Sequence, residues 1–296
     1  MINGILNIYK EKGFTSHDVV AKLRGILRQK KIGHTGTLDP DAEGVLPVCL
    51  GNGTKLCDML TDRDKAYRTV LLLGQTTDTQ DTSGTVLQTF DVTVTETQVR
   101  EAVMQFVGEY DQVPPMYSAL KVNGKKLYEL AREGKTVERA ARHVQIHEII
   151  IEEISLPRVT MTVSCSKGTY IRTLCHDIGE RLGCGGCMEQ LLRIKAGPFA
   201  LEDSLTLAQI EQKKQAGHLE EIIIPVEEMF ANKPACRIKP EFDKMLYNGN
   251  PVFLNQMTET VCAAQVRMQD SKGRFCGVYE YRKEKKGFWP VKMFLE

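Results

Sequence analysis

An α+β fold in two unequal parts is what this 296-residue sequence predicts, and three observations carry the prediction. Residues 159–166 alternate strictly, with Val159, Met161, Val163 and Cys165 on one face and Thr160, Thr162, Ser164 and Ser166 on the other, as a half-buried strand requires. Apolar residues recur at helical intervals elsewhere: Val19, Val20, Leu23, Ile26 and Leu27, and again Ile171, Leu174, Cys175, Ile178 and Leu182. From about residue 233 the pattern shifts to short strand-like runs at 261–268, 275–282 and 291–295, separated by turn chemistry at Asn248-Gly249-Asn250-Pro251 and Asp270-Ser271-Lys272-Gly273. The expectation is a larger unit over residues 1–232, with helices packed around its strands, and a small β-barrel-like module over residues 233–296.

Taken in order, the apolar run 5–9 predicts a short strand, and Ser16 is placed to cap the helix that carries Val19 to Leu27. Residues 45–50 and 66–73 read as strands; in the second, Tyr67, Thr69, Leu71 and Leu73 share one face. A polar link follows to Gly84, then helical spacing at Val99, Val103, Phe106 and Val107 over 96–107. Pro114 and Pro115 hold the next segment extended. An insert of about 121–145 has few apolar anchors and is expected to project from the core. Strand 159–166 leads through Lys167-Gly168-Thr169 into a helix over 171–182, with Gly183 as its stop. That order sets Tyr170 and Arg172 at a helix N-terminus, a position suited to anions.

The most unusual choices concentrate in residues 33–48, Gly33-His34-Thr35-Gly36-Thr37-Leu38-Asp39-Pro40-Asp41-Ala42-Glu43-Gly44-Val45-Leu46-Pro47-Val48. Pro40 and the glycines exclude a helix interior, so a shaped loop is expected. Its three carboxylates beside one histidine support several chemistries. Asp39, Asp41 and Glu43 could take a hard cation, although the spacing is not that of an EF-hand and the prolines restrict convergence. Two could act as an acid/base pair in glycoside chemistry. One ionised Asp could be a nucleophile held by a cation from elsewhere. All three could simply cap turns. The residues alone do not rank the second and third of these.

Net charge is +1, so the chain as a whole gives no reason to expect a polyanionic partner. Its distribution does. Residues 22–31 hold five basic side chains and no acid, residues 121–143 hold seven Lys/Arg against three Glu, and residues 233–296 hold twelve against seven acids. Nine cysteines, an odd number set in apolar patterns, suit reduced and buried thiols. Cys184-Gly185-Gly186-Cys187 has ligand spacing but lacks the second pair of a zinc site, so a Gly-rich turn is expected there. The N-terminal residues lack the pattern of a signal peptide and no run is long enough to span a membrane, so the expected compartment is the cytoplasm. Ser16-His17-Asp18 is no catalytic triad, because adjacent residues cannot form the relay.

The loop signature through Gly51 closely resembles that of the bacterial tRNA pseudouridine-55 synthases, which isomerise a uridine in the tRNA T loop. The resemblance runs on through Thr54-Lys55, Lys65-Ala66-Tyr67-Arg68, the link from Gly74 to Asp81, Met116 to Lys121, Gly124 to Tyr128 and Ser166 to Thr173, seven ordered motifs in all. It implies a mixed, largely antiparallel sheet with flanking helices, an insert that grips RNA, and a PUA-like RNA-binding module at the C-terminus.

The same resemblance implies the roles. Asp39 is the nucleophile, Arg172 the cation paired with it, and Tyr67 the aromatic residue that stacks on the uracil. His34 matches the residue beside the extruded nucleotides, Leu191 an apolar residue packed on the target base, and Lys10, Tyr170 and Arg193 match pocket or RNA-facing positions. Lys121, Lys125 and Lys126 belong to the insert that meets the T arm. Asp41 and Glu43 have no catalytic role. The implied partner is tRNA, bound by a monomer with no protein partner, metal or organic cofactor.

Overall fold

The structure is a computed structural model, and it describes residues 1–122, 124–259 and 261–295. The strands of the larger unit are β1 (Gly4–Lys10), β2 (Ile32–His34), β3 (Glu43–Leu50), β4 (Lys65–Leu73), β5 (Gln75–Thr77), β6 (Val86–Thr89), β7 (Gly108–Gln112), β8 (Lys121–Val122), β9 (Lys125–Lys126), β10 (Arg142–Ser155), β11 (Arg158–Cys165), β12 (Gly186–Ala196) and β13 (Phe199–Ala200). Its helices are α1 (Ser16–Leu27), α2 (Cys57–Thr61), α3 (Glu96–Met104), α4 (Leu127–Arg132), α5 (Ile171–Leu182) and α6 (Leu207–Gln215).

The main sheet runs β1-β3-β12-β4-β11-β10-β7, with β2 added to β3 and β13 to β12. Pairing is antiparallel except between β3 and β12, so the expected mixed, largely antiparallel sheet is found. The parallel contact is short, Leu192 opposite Glu43 and Arg193 opposite Gly44. Gly44 makes it possible: with φ at 102°, a Cβ there would lie 2.2 Å from the Arg193 carbonyl oxygen.

Period-2 alternation divides the core between the faces of the sheet. Leu6 and Ile8 of β1 join α1 residues Val19, Val20, Leu23 and Leu27, while Ile5 faces the other way toward Leu56, Phe199 and Phe230. Helix α5 lays Ile171, Leu174, Cys175 and Ile178 on Leu71, Met161 and Val163. Gly183 ends it with φ at 73°. Helix α1 starts one residue before expectation: Thr15 is the cap, in a capping box with Asp18, and Ser16 Oγ instead takes the Leu38 N–H at 2.9 Å.

The insert also differs from its expected span. Arg142 to Ile146 pair with β7 in the sheet, so the projection lies between β7 and β10 and ends before Arg142. Arg142 and His143 read as projection because both are polar and exposed where β10 begins. Cys184 and Cys187 are buried beside the Gly-rich turn that follows α5.

Beyond residue 233, β14 (Ala235–Arg237), β15 (Val252–Phe253), β16 (Gln265–Gln269), β17 (Phe275–Arg282) and β18 (Gly287–Met293) form a five-stranded sheet ordered β14-β16-β17-β18-β15, with α7 (Asp243–Tyr247) between β14 and β15 in the chain. It is not a loosely tethered appendage. Phe275 and Phe294 stack at 5.6 Å and both contact Phe230, joining the core that contains Ile5 and Val45. Phe294→Ala is therefore expected to cost about 3 kcal/mol, read as a lowered denaturation midpoint for the whole chain.

Candidate active site

The loop between β2 and β3 is fixed from both sides. At its start Thr35 donates its backbone N–H to Pro47 O at 3.1 Å. Leu38 is buried and tied through Ser16 to the start of α1. From beneath, the Lys10 ammonium donates to Pro40 O at 3.1 Å and to Ala42 O at 2.5 Å, while Gly13 N–H also reaches Pro40 O. Asp39, between Leu38 and Pro40, is thereby aimed into a cleft of about 1350 Å³. Walls of that cleft come from β4 (Tyr67), β12 (Leu191, Arg193), the start of α5 (Tyr170, Arg172) and the insert (Lys126, Tyr128, Arg132).

At its centre Arg172 Nη2 lies 3.2 Å from Asp39 Oδ2. The guanidinium is almost fully enclosed, with 7% of its side chain exposed, and every contact serves to fix it. Nη2 also donates to Tyr117 O at 2.9 Å, Nη1 donates to Thr79 O at 3.2 Å, and Asp81 Oδ2 lies 3.5 Å away. Asp39 remains 44% exposed, so its carboxylate is open to the cleft. Crowding by the cleft walls raises its pKa above the ordinary value; Arg172 opposes the rise, Asp81 adds to it, Lys10 opposes it and Asp41 adds to it.

Tyr67 lies beside this pair, its phenol facing the Arg193 guanidinium across the cleft floor. Burial raises its pKa, which keeps the phenol protonated at neutral pH. Arg193, only 1% exposed, donates through Nε to Val45 O at 2.6 Å and through Nη2 to Gly36 O at 3.4 Å. It thus staples the loop to β12 as well as lining the cleft floor. Lys10 is fully enclosed, and burial lowers its pKa to about 8. Read from sequence as pocket or RNA-facing, Lys10 spends its donors on loop carbonyls instead.

The structure brings Asp39, Tyr67, Arg172, Tyr170, Leu191, Arg193 and Lys126 together around one cleft. His34 sits behind the loop, its ring edge-on to His17 at 5.3 Å, and it is His17 that lines the cleft. Burial lowers the pKa of His34, and its Nδ1 has no hydrogen-bond partner among the described residues. Lys121 and Lys125 are exposed on the β8–β9 hairpin, and Lys125 lies 3.8 Å from Glu133. The three loop carboxylates diverge: Asp41 is exposed, Glu43 accepts from Tyr9 Oη at 3.1 Å, and Asp39 alone faces the arginine. A shared cation site and a paired acid/base arrangement within the loop are thereby disfavoured on geometry.

Sequence reasoning passed over Asp81, although it closes one of the quoted motifs. Its Oδ1 accepts from Thr79 Oγ1 at 2.7 Å and from Ser83 N–H at 3.0 Å, so it builds the turn that offers Thr79 O to Arg172. Tyr117, in the insert, was likewise not singled out.

Solved structures share this architecture. A Cbf5-Nop10-Gar1 complex contains a chain 26% identical with a TM-score of 0.73, the match covering 99% of this chain and 85% of that one. An H/ACA RNP bound to a substrate RNA containing 2′-deoxyuridine matches with a TM-score of 0.72 at 24% identity over the same shares. Residues 24–171 match the TruB family pseudouridylate synthase N-terminal domain, and residues 172–231 the tRNA pseudouridylate synthase B C-terminal domain. The class is therefore an isomerase that converts uridine to pseudouridine. Proteins named tRNA pseudouridine synthase B from Lachnoclostridium phytofermentans and Alkaliphilus oremlandii are 55% and 49% identical, covering 99% and 88% of this chain and 100% and 86% of their own lengths. The chain belongs to the TruB family, whose enzymes isomerise uridine in tRNA.

Proposed function

We propose that this enzyme isomerises the uridine at position 55 in the T loop of tRNA, with Asp39 as nucleophile, acting as a monomer in the cytoplasm without a metal or organic cofactor. The observation that carries the reading is the Asp39–Arg172 pair: one carboxylate open to a cleft, held by an arginine whose other contacts leave it no freedom. Asp39 attacks C1′ of the ribose or C6 of the uracil. Either route breaks the N1–C1′ bond, forms C5–C1′, removes the C5 proton and returns one to N1, so mass is conserved. Tyr67 is positioned to stack on the uracil, and its phenol can exchange a proton at the turned base.

A uridine within a folded T loop must first leave its stack, which costs a few kcal/mol. The cleft accepts it between Tyr67 and Leu191, and the His17–His34 pair lies beside the route. Lys126, Arg132 and Lys167 on the rim suit the phosphates of a T arm. Residues 233–296 are read as a PUA-like module that adds a second RNA contact, residues 1–232 as the catalytic domain.

The test is incubation with a uridine-containing T-arm stem-loop, followed by mass spectrometry and chemical tagging of pseudouridine. A carbon-linked base at unchanged mass is expected. Free uracil would make the protein a hydrolase, and bound but unaltered RNA would leave an RNA-binding or chaperone role. Turnover of the stem-loop is expected to be unchanged by EDTA. Tyr67→Phe should lower kcat about 10²-fold with RNA affinity retained, since it removes the hydroxyl and keeps the ring.

A further inference from the structure

We propose that Gln112 is a positioning residue for the isomerisation, setting the reach of Arg172 to Asp39 through the backbone of Tyr170; the proposal rests on the catalytic reading of that ion pair. Gln112 is the last residue of β7 and is 1% exposed. Its side-chain amide grips both polar groups of one residue: Oε1 accepts the Tyr170 N–H at 2.7 Å and Nε2 donates to Tyr170 O at 2.9 Å. Tyr170 is the N-cap of α5, with φ −96° and ψ 107°, and its own side chain gives the helix no capping bond. Gln112 therefore treats Tyr170 as a neighbouring strand would, with two bonds to an extended residue, and so fixes where α5 begins.

Arg172 stands two residues further on, in the first turn. Any rotation of that turn is carried directly to the guanidinium, which must meet Asp39, Asp81, Thr79 O and Tyr117 O together. Thr169, next to Tyr170 in the chain, does not supply this hold, since its Oγ1 bonds back to Ser166 O at 2.9 Å. Gln112 also precedes the insert directly. The insert in turn reaches the same helix start through Tyr117 O, which accepts from Arg172 Nη2 at 2.9 Å. Edge strand and helix start thus meet at the two bonds of the Gln112 amide, and the insert that follows Gln112 meets the arginine of the same helix start.

Loss of this hold should register on Asp39 itself. Charged groups facing Asp39 are Arg172 from α5, Asp81 from the β5–β6 connection, Lys10 from β1 and Asp41 from its own loop, with Tyr67 and Tyr170 nearby. Arg172 is the largest influence that lowers its pKa, so a displaced Arg172 lets it rise.

The experiment compares the full chain with Gln112→Met, which keeps the volume and removes both bonds, and Gln112→Glu, which keeps an acceptor for the Tyr170 N–H. Single-turnover rates across pH and steady-state kcat and KM are measured on a T-arm stem-loop, with Asp39→Asn in parallel. Gln112→Met should turn over about tenfold more slowly with KM within twofold, its acid limb displaced to higher pH, and Gln112→Glu should recover part of the rate. A wild-type rate and acid limb in Gln112→Met, or a loss confined to KM, would overturn the proposal. Hydrogen exchange on the unaltered protein needs no variant: the Tyr170 amide should be protected, and free exchange there sinks the clamp. An active Asp39→Asn would instead defeat the catalytic reading, which separates the two failures.

Discussion

Asp39→Asn should fold, bind tRNA and form pseudouridine at least about 10³-fold more slowly than the unaltered enzyme, because a neutral amide of the same shape cannot act as the nucleophile. The contacts that hold the loop make the substitution a clean one. Lys10, Gly13, Arg193 and Ser16 all act on backbone atoms of the loop or its flanks, and none needs the Asp39 side chain. Melting temperature and tRNA affinity should therefore change little while single-turnover chemistry disappears. A near-normal rate would remove Asp39 from the mechanism. The pH profile of the unaltered enzyme supplies a further check. Rate should climb as Asp39 ionises, and its acid limb should lie above the ordinary aspartate value, since the enclosing walls outweigh the opposing cations.

Arg172→Lys comes next in size. A lysine retains the charge but offers one compact head where the guanidinium divides its bonds among Asp39, Tyr117 O and Thr79 O and faces Asp81. A fall in kcat of about 10²-fold or more is expected, with a smaller change in KM. Arg172→Ala goes further. It leaves Asp39 and Asp81 near each other without the cation that lowers the Asp39 pKa, so the acid limb moves to higher pH and raising the assay pH recovers part of the lost rate. Stability should fall by about 2 kcal/mol, below the usual cost of breaking a fully buried pair, because Asp39 is partly open to solvent. Equal kcat in Arg172→Lys and the unaltered enzyme would show that only charge, and not the forked geometry, is needed.

Local signals translated almost residue for residue. The alternation read over 159–166 became the strand Arg158–Cys165, and the helix read over 171–182 became Ile171–Leu182 with Gly183 as its stop, because period and stop signal are properties of adjacent residues. Where the chain had two adequate local choices, packing decided. Thr15 and Ser16 can both cap a helix, and a long-range bond to Leu38 drew Ser16 away. Charge was the least informative guide. Lys10 and Arg193 match pocket or RNA-facing positions by resemblance, and nothing in their charge foretells that both are enclosed because backbone carbonyls of a loop distant in sequence lie within their reach. The site was named by resemblance, since nothing in spacing alone says that Asp39 and Arg172 meet. Asp81 and Gln112 were missed for a related reason: Asp81 shapes a local turn whose Thr79 carbonyl serves an arginine far along the chain, and Gln112 acts on the backbone of Tyr170, so what each serves leaves no pattern in the residues around it.

The short parallel contact between β3 and β12 imposes an order on how the enzyme comes into being. The Asp39 loop belongs to the first sixth of the chain, but two of its holders, Arg193 and the strand that carries it, come only after α5. A nascent chain released from the ribosome as far as β11 would have the nucleophile and its antiparallel neighbours, with the centre of the sheet still open between β3 and β4. Closure of that gap is a late, long-range event of the sort that slows folding. Chemistry is consequently withheld from incomplete chains: the carboxylate cannot acquire its arginine, nor the loop its final shape, until most of the polypeptide has been made.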